Sequence, residues 1–262
     1  FPVDAAMNLL DIEGVDVAFG GLQAISSLSF GLRPGQIKGV IGPNGAGKTT
    51  LFNVIVGVQR PDRGDVRFEG RSIVGLPPHA RAALGMARTF QNLQIFRELT
   101  LLENVMIGRH PRMRSGFAAT LLGTRAVRRE EEAVERMALE RLALVGLADR
   151  AHVSAAGLSF GEAKLLEVAR ALVAEPKVLL LDEPAAGVPH GEQGALSAII
   201  RRVNAAGITV LLVEHNMKMV MNLCDEILVL QYGRRLAEGT PEAVSRDREV
   251  IAAYLGETMA DA

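Results

Sequence analysis

Residues Gly42–Thr49 read GPNGAGKT and match the pattern Gly-x-x-x-x-Gly-Lys-Ser/Thr. Glycines at 42, 45 and 47 let backbone N–H groups curl around phosphate oxygens where a Cβ would clash. Lys48 supplies a point charge for the β- and γ-phosphates of a nucleotide, and the Thr49 hydroxyl is a ligand for Mg2+. The helix that opens here turns its positive end toward the same anion, so Pro43, Asn44, Ala46 and Thr50 share the cradle. An ordinary glycine-rich turn between strand and helix is the alternative; Lys-Thr in register disfavours it. By itself the loop specifies binding of a nucleoside triphosphate, not a reaction.

Two further stretches carry chemistry. VLLLDEP, from Val178 to Pro184, is an apolar run that delivers Asp182 to the carboxyl end of a buried strand, where ligands sit in open α/β sheets. Asp182 would hold Mg2+ directly or through water, and Glu183 beside it is placed to orient or deprotonate an attacking water. Adjacent acids at a strand end also occur for solvation alone, but beside a phosphate loop the catalytic reading is favoured. LSFGE, Leu158 to Glu162, opens an apolar-rich helix, and its Ser159-x-x-Glu162 spacing is that of a capping box.

The elements that must position these residues follow from the patterning. LLDIEGVDVAF and ISSLSFGLR, separated by glycines, suggest an antiparallel β-rich start. IKGVIG is a buried strand into the phosphate loop, TLFNVIVGV a helix, and PDRGDVRFEG a turn, strand and turn. Beyond residue 92 the strand patterns fade, and TRAVRREEEAVERMALERLALVGL reads as a helix with a solvated charged face. Strands and helices alternate from KVLLLD to ITVLLVEH and NMKMVMNLC, which argues a parallel sheet covered by helices. EILVLQYGRRLAEG bends at Tyr232-Gly233 like a hairpin, and TPEAV opens a last helix with a Thr cap and a proline at its first position.

A chain of 262 residues can bury a full core and fits one large domain or two small ones. Hydrophobic residues are 48% and charged residues 23%, as in ordinary globular chains, and the net charge of −1 gives no basic field for nucleic acid. The lone cysteine, Cys224, forms no internal disulfide and reads as a buried thiol. No apolar run approaches the roughly 20 residues that span a bilayer. FPVDAAMNLL lacks the pattern of a secretory signal, so the chain reads as cytoplasmic, with Met7 a candidate native start.

Taken in order along almost the whole chain, these motifs resemble the ATP-binding cassette (ABC) family. The resemblance implies a P-loop NTPase fold of the RecA-like α/β type: a mostly parallel sheet, an N-terminal antiparallel β subdomain and a helical insert. It implies one nucleotide-binding domain over 1–262, with 7–91 and 176–262 as ATP-binding core and 92–175 as helical signature subdomain. ATP and Mg2+ are the implied cofactors. Phe19 in VAFGG falls at the aromatic position that stacks on adenine. Gln91 in TFQN falls at the glutamine that reaches Mg2+ and the attacking water, and His215 in LLVEH at the γ-phosphate-sensing histidine. Read alone, Phe19 is equally a core aromatic, Gln91 a surface amide and His215 a polar group at a strand end. LSFGE stands at the family signature, usually LSGGQ, which faces the phosphate loop of a second copy. There Ser159, Phe160, Gly161 and Glu162 would close over the γ-phosphate.

Two departures stand out. Phe160 and Glu162 replace glycine and glutamine, and the acid brings negative charge near an anion site; Pro189 stands where the family has an aspartate or asparagine that crosses the dimer interface. The stretches GLPPHARAALGMARTFQNLQIFRELTLLENVMIG, EHNMKMVMNLCDEILVLQYGRRLAEGTPEAV and YLGE resemble the ATP-binding subunits of branched-chain amino acid importers, whose relatives handle amides, urea or aromatic acids. The implied partners are a second ATPase subunit, identical or a close paralogue, in a head-to-tail ATP sandwich, and transmembrane permease subunits. A periplasmic solute-binding protein would act indirectly. The chain would then sit on the inner face of the membrane, with Leu93, Ile95, Phe96 and Leu99 forming a groove for a permease helix. The alternatives are the ATPase of a lipid or lipopolysaccharide exporter, and a soluble cassette protein outside transport. A small-molecule kinase is disfavoured, since no acceptor site accompanies the signature.

Overall fold

The structure, a computed structural model, describes residues 8–89, 94–109 and 125–253. Alternating apolar positions fold as antiparallel strands β1 (Leu10–Phe19) and β2 (Leu22–Leu32), joined through Gly20-Gly21, both at positive φ. The chain crosses through β3 (Ile37–Ile41) and helix α1 (Lys48–Val56), then returns as β4 (Arg63–Phe68) and β5 (Arg71–Ser72). These close an antiparallel sheet of order β2-β1-β4-β5.

Helix α2 (Pro78–Leu84) starts with proline in its first turn and stops at Gly85, whose φ of 112° lets its N–H return to the carbonyls of Ala82 and Arg81. Strand β6 (Met86–Arg88) follows, and then, among the described residues, the α-helices α3 (Leu101–Ile107), α4 (Arg125–Leu144) and α5 (Phe160–Leu172). The charged run behaves as its spacing predicts. Val134, Ala138 and Leu142 are buried on one stripe of α4, while Glu131, Glu132, Glu135, Arg136 and Glu140 are exposed.

The remainder alternates: β7 (Val178–Asp182), α6 (His190–Ala205), β8 (Thr209–Val213), α7 (Met217–Leu223), β9 (Glu226–Gln231), β10 (Arg234–Gly239) and α8 (Pro241–Arg246). The second sheet has the order β10-β9-β3-β8-β7-β6, parallel except for the β9–β10 hairpin. Strands β3, β7 and β8 are buried at every residue, because both of their faces are covered. Alternation divides their side chains between two cores. Val178, Leu180, Leu211 and Val213 join α1 and the antiparallel sheet; Leu179, Leu181, Val210 and Leu212 pack on the helices of the other face.

Lys38 in the middle of β3 is only 1% exposed, so its charge must be answered inside. Its Nζ lies 2.5 Å from Glu238 Oε1, 3.1 Å from Glu226 Oε2 and 2.6 Å from the Gly31 carbonyl oxygen. That lysine links β2, β9 and β10 at one point.

Cys224 lies against the same strand from the other side, and burial pushes its thiol up to about 12, so it stays protonated. A methyl group at Gly39 would stand 2.9 Å from Cys224 Sγ and 3.2 Å from Val220 Cγ1. Overpacking of this kind costs about 1–3 kcal/mol. Gly39→Ala should therefore lower the unfolding free energy by about that amount in a denaturant titration, and adding Cys224→Ala should restore part of it.

Candidate functional site

The carboxyl ends of β3, β7, β8 and β9 define one edge of the parallel sheet, and the phosphate loop, Asp182, Glu183 and His215 lie along it. The phosphate loop joins β3 to α1. Gly42, Gly45 and Gly47 all take positive φ, at 153°, 78° and 100°. Around Gly45 the space for a Cβ is open, so only its conformation asks for glycine; Gly42 and Gly47 are also packed against backbone. Lys48 is buried and arches back across the loop, its Nζ donating to the carbonyls of Gly42 at 2.5 Å and Pro43 at 2.7 Å. The first turn of α1 holds no acidic residue, which keeps the helix end attractive to an anion.

A cavity of about 510 Å³ lies over this loop, with Asn44 to Thr50, Phe19, Glu183 and His215 in its wall. Phe19 ends β1 with 49% of its surface exposed, so it is no core aromatic. Glu183 follows β7 with φ at 46°, an uncommon conformation for a residue with a side chain. Its N–H donates to the Val213 carbonyl at 3.0 Å, and its Oε1 lies 2.9 Å from His215 Nε2. Beneath this pair is Glu214, 3% exposed. Its Oε1 accepts the Ala185 N–H at 2.6 Å, while Oε2 accepts those of His215 at 3.1 Å and Asn216 at 3.3 Å. Burial raises the Glu214 carboxyl above its ordinary value and the backbone donors oppose that rise. The brace holds the ends of β7 and β8 together and so sets the distance between Glu183 and His215.

Asp182 closes β7, 4% exposed, and pairs with Arg88 at 2.6 Å. Among the described residues no group of three or more His, Cys, Asp or Glu side chains could hold a metal by itself. Mg2+ needs fewer, since it keeps waters and takes substrate phosphates together with one or two protein oxygens. A hydroxyl at a helix start (Thr49) and a buried carboxylate at the end of β7 (Asp182) are donors of the kind that suits it.

The LSFGE stretch lies elsewhere. None of Ser159, Phe160, Gly161 and Glu162 is in the wall of the phosphate-loop cavity. Ser159 caps α5: its Oγ accepts the Glu162 N–H at 3.2 Å, and Glu162 Oε2 accepts the Ser159 N–H at 2.9 Å. The other Glu162 oxygen pairs with Arg150. Phe160 lies across Gly187, where a Cβ would meet its Cε1 at 2.8 Å, and Gly161 is buried with Glu192 Oε2 in the place a Cβ would take.

Gln91 and Leu93 lie outside the described residues. Ile95 and Phe96 line an apolar groove of about 570 Å³ with Met86, Ile107 and Ala171, and Phe96 is 52% exposed. Leu99 is half-buried and is not in that wall. Four residues to which the sequence reading gave no site role also border these sites: Arg88, Arg150, Glu214 and Tyr232. Two carried a local signal. Glu214 is an acid between an apolar strand and a histidine, and Tyr232 occupies a hairpin turn at φ 47°, where Asn is the ordinary choice. For the two arginines nothing local told.

Comparison with known proteins bears on what such an edge belongs to. Residues 25–186 match the family model for ABC transporters, and residues 234–260 match that for branched-chain amino acid ATP-binding cassette transporters. The chain is 42% identical over 95% of its length to the high-affinity branched-chain amino acid transport ATP-binding protein BraF of Pseudomonas aeruginosa, covering 98% of that protein. It is likewise 42% identical to the corresponding protein LivG of Escherichia coli K12, with the same coverage of both chains. Among solved structures, an ATP-binding cassette of an ABC transporter in its ADP conformation aligns with a TM-score of 0.84 at 35% identity, over 95% of this chain and 99% of that one. A nucleotide-free cassette from an ABC transporter aligns at 0.81 and 34% identity, with the same coverage. With a phosphate loop and a strand-end acid pair on a parallel sheet, and with relatives matched end to end, the chain belongs to the ABC transporter family as one of its ATP-binding cassettes.

Proposed function

We propose that this chain binds and hydrolyses ATP as the energising subunit of an importer for branched-chain amino acids. The observation that carries hydrolysis is the Glu183–His215 pair, 2.9 Å apart in the wall of the phosphate-loop cavity. A carboxylate there can accept a proton from water while the imidazole of His215, whose main-chain N–H is held by Glu214, fixes its orientation and faces the terminal phosphate. Lys48 and backbone N–H groups of the loop and of the start of α1 answer the phosphate charge, and Phe19 offers its exposed ring to the adenine. Bound Mg2+ would supply charge neutralisation at the β- and γ-oxygens, held by Thr49 and Asp182, with Gln91 assigned beside them from the sequence. The import role and the solute rest on the relatives that align over nearly the whole chain.

In this reading residues 7–91 and 176–262 are the ATP-binding core and 92–175 the signature subdomain. The groove at Ile95 and Phe96 receives a cytoplasmic helix of a permease, an apolar surface that solvent alone does not explain. Among the described residues no helix is long and apolar enough to cross a membrane, which suits attachment through such partners.

Glu183→Gln keeps the shape of the side chain and removes its basicity. It should leave ATP binding intact and cut turnover by roughly 10²–10⁴. Near-normal turnover in a preparation free of contaminating ATPase would overturn the assignment.

The separation of LSFGE from the cavity supports action on a second copy, which a two-fold, head-to-tail pair would provide at both sites. Donors that engage only on closure are worth roughly 10²–10³ in rate. Ser159→Arg should therefore abolish turnover while ATP still binds, whereas Lys48→Ala should lose binding itself. Mixing the two variants should regenerate activity, because one site of the mixed dimer carries both defects and the other neither. Cysteines placed near Ser159 and Gly45 should crosslink between chains in the Glu183→Gln background with ATP. Crosslinks found only within single chains would reduce the stretch to a helix cap.

A further inference from the structure

Arg88 Nη2 meets Asp182 Oδ2 at 2.6 Å, and the pair is nearly dry, with side chains 12% and 6% exposed. The same guanidinium donates through Nη1 to Asn53 Oδ1 at 2.7 Å, and its carbon lies 5.6 Å from the centroid of the Phe52 ring. Asn53 and Phe52 belong to α1, the helix that begins at Lys48 and runs through Thr49. Arg88 itself is fixed in β6, where it pairs with Leu180 of β7. One side chain thus ties the carboxylate of β7 to the helix of the phosphate loop.

The chemistry of the fork matters here. A guanidinium holds its donors in one plane at set directions, so engaging Asn53 on one nitrogen fixes where the other must meet a carboxylate. A lysine would give a point charge without that direction. An exposed pair would add little, but a buried carboxylate with a rigid partner has its rotation restricted by that partner.

We propose that Arg88 is a positioning residue for the metal site: it fixes the orientation in which the Asp182 carboxylate meets Mg2+. The inference rests on the reading of Asp182 as the Mg2+ carboxylate. Groups that orient a metal-binding side chain from behind typically carry 10–100-fold in metal affinity.

Binding of a fluorescent ATP analogue, followed in EDTA and then through a Mg2+ titration, tests this in the Glu183→Gln background, where turnover does not interfere. Arg88→Lys and Arg88→Gln should bind the analogue like the parent in EDTA, since Arg88 meets α1 at Phe52 and Asn53, beyond the residues of the phosphate loop. Both should need about 10-fold more Mg2+ for half of the metal-dependent change. Asp182→Asn should show a comparable loss, and adding Arg88→Lys to it should cost nothing more, because the two act through one contact. A folded Arg88→Lys that titrates at the parent's Mg2+ concentration, or below it, overturns the proposal, as does a loss that adds to that of Asp182→Asn. If Arg88→Gln fails to fold for want of a partner to Asp182, Arg88→Lys, which keeps the charge, decides. A parent without any Mg2+-dependent binding would overturn the reading of Asp182 itself; a responsive parent with unmoved variants overturns only the role of Arg88.

Discussion

The phosphate loop is gripped by backbone at two points, and the rest of the site depends on that grip. A Cβ at Gly42 would lie 2.2 Å from the Leu230 carbonyl oxygen, and one at Gly47 would lie 2.6 Å from that of Ala24. Leu230 belongs to β9 of the parallel sheet and Ala24 to β2 of the antiparallel one. Two hydrogen bonds complete the clamp: Gly233 N–H to the Ala46 carbonyl at 3.1 Å, and Ser26 N–H to the Gly233 carbonyl at 2.8 Å. Contacts this close admit no side chain and little sliding. They fix the cradle against both sheets at once, and with it the relation of Phe19, at the end of β1, to Glu183 and His215 across the cavity.

What could be read from sequence was what local patterning determines. The phosphate loop declares itself because its glycines, lysine and threonine act within a single turn. VLLLD and TVLLV show as buried strands because a parallel sheet covered on both faces leaves no alternation, only apolar runs that end in charge. Ser159 and Glu162 show as a capping box because the bond partners are three residues apart. Strand β6 did not show. Met-Ala-Arg has no strand pattern of its own, and its conformation comes from the register with Val178, Leu179 and Leu180 of β7. Arg88 was illegible for the same reason: its partner Asp182 is 94 positions away, and nothing near it in sequence signals burial.

The departures in LSFGE also resolve in three dimensions. Phe160 replaces a glycine and finds its room over Gly187, the glycine of the segment that follows Glu183. Lys164, one turn on, places its Nζ 5.9 Å from the centre of that ring. The larger residue is accommodated by a small one in a neighbouring loop, so the signature helix and the strand-end loop now share a packed contact that a glycine would not make.

Charge balance completes the account of the edge. Three acids, Asp182, Glu183 and Glu214, stand at the sheet edge beside the phosphate loop, and a fourth, Glu162, stands at the start of α5 away from that cavity. At 4 Å, two unit charges interact by about 4 kcal/mol at an effective dielectric constant of 20, so uncompensated acids would repel the ligand strongly. Each has its own partner. Asp182 has Arg88, Glu162 has Arg150 together with the Ser159 N–H, and Glu183 Oε1 lies 2.9 Å from His215 Nε2. Glu214 has three backbone donors, and burial pushes its carboxyl toward the protonated form. The Arg150–Glu162 pair is about one-third exposed on each side, so its contribution to folding is small. Its effect is local: it cancels the charge that replaced glutamine at the start of α5, and the positive end of that helix is preserved. At the sheet edge itself the first turn of α1, which opens at Lys48, holds no acid, and a helix end of that kind attracts anions.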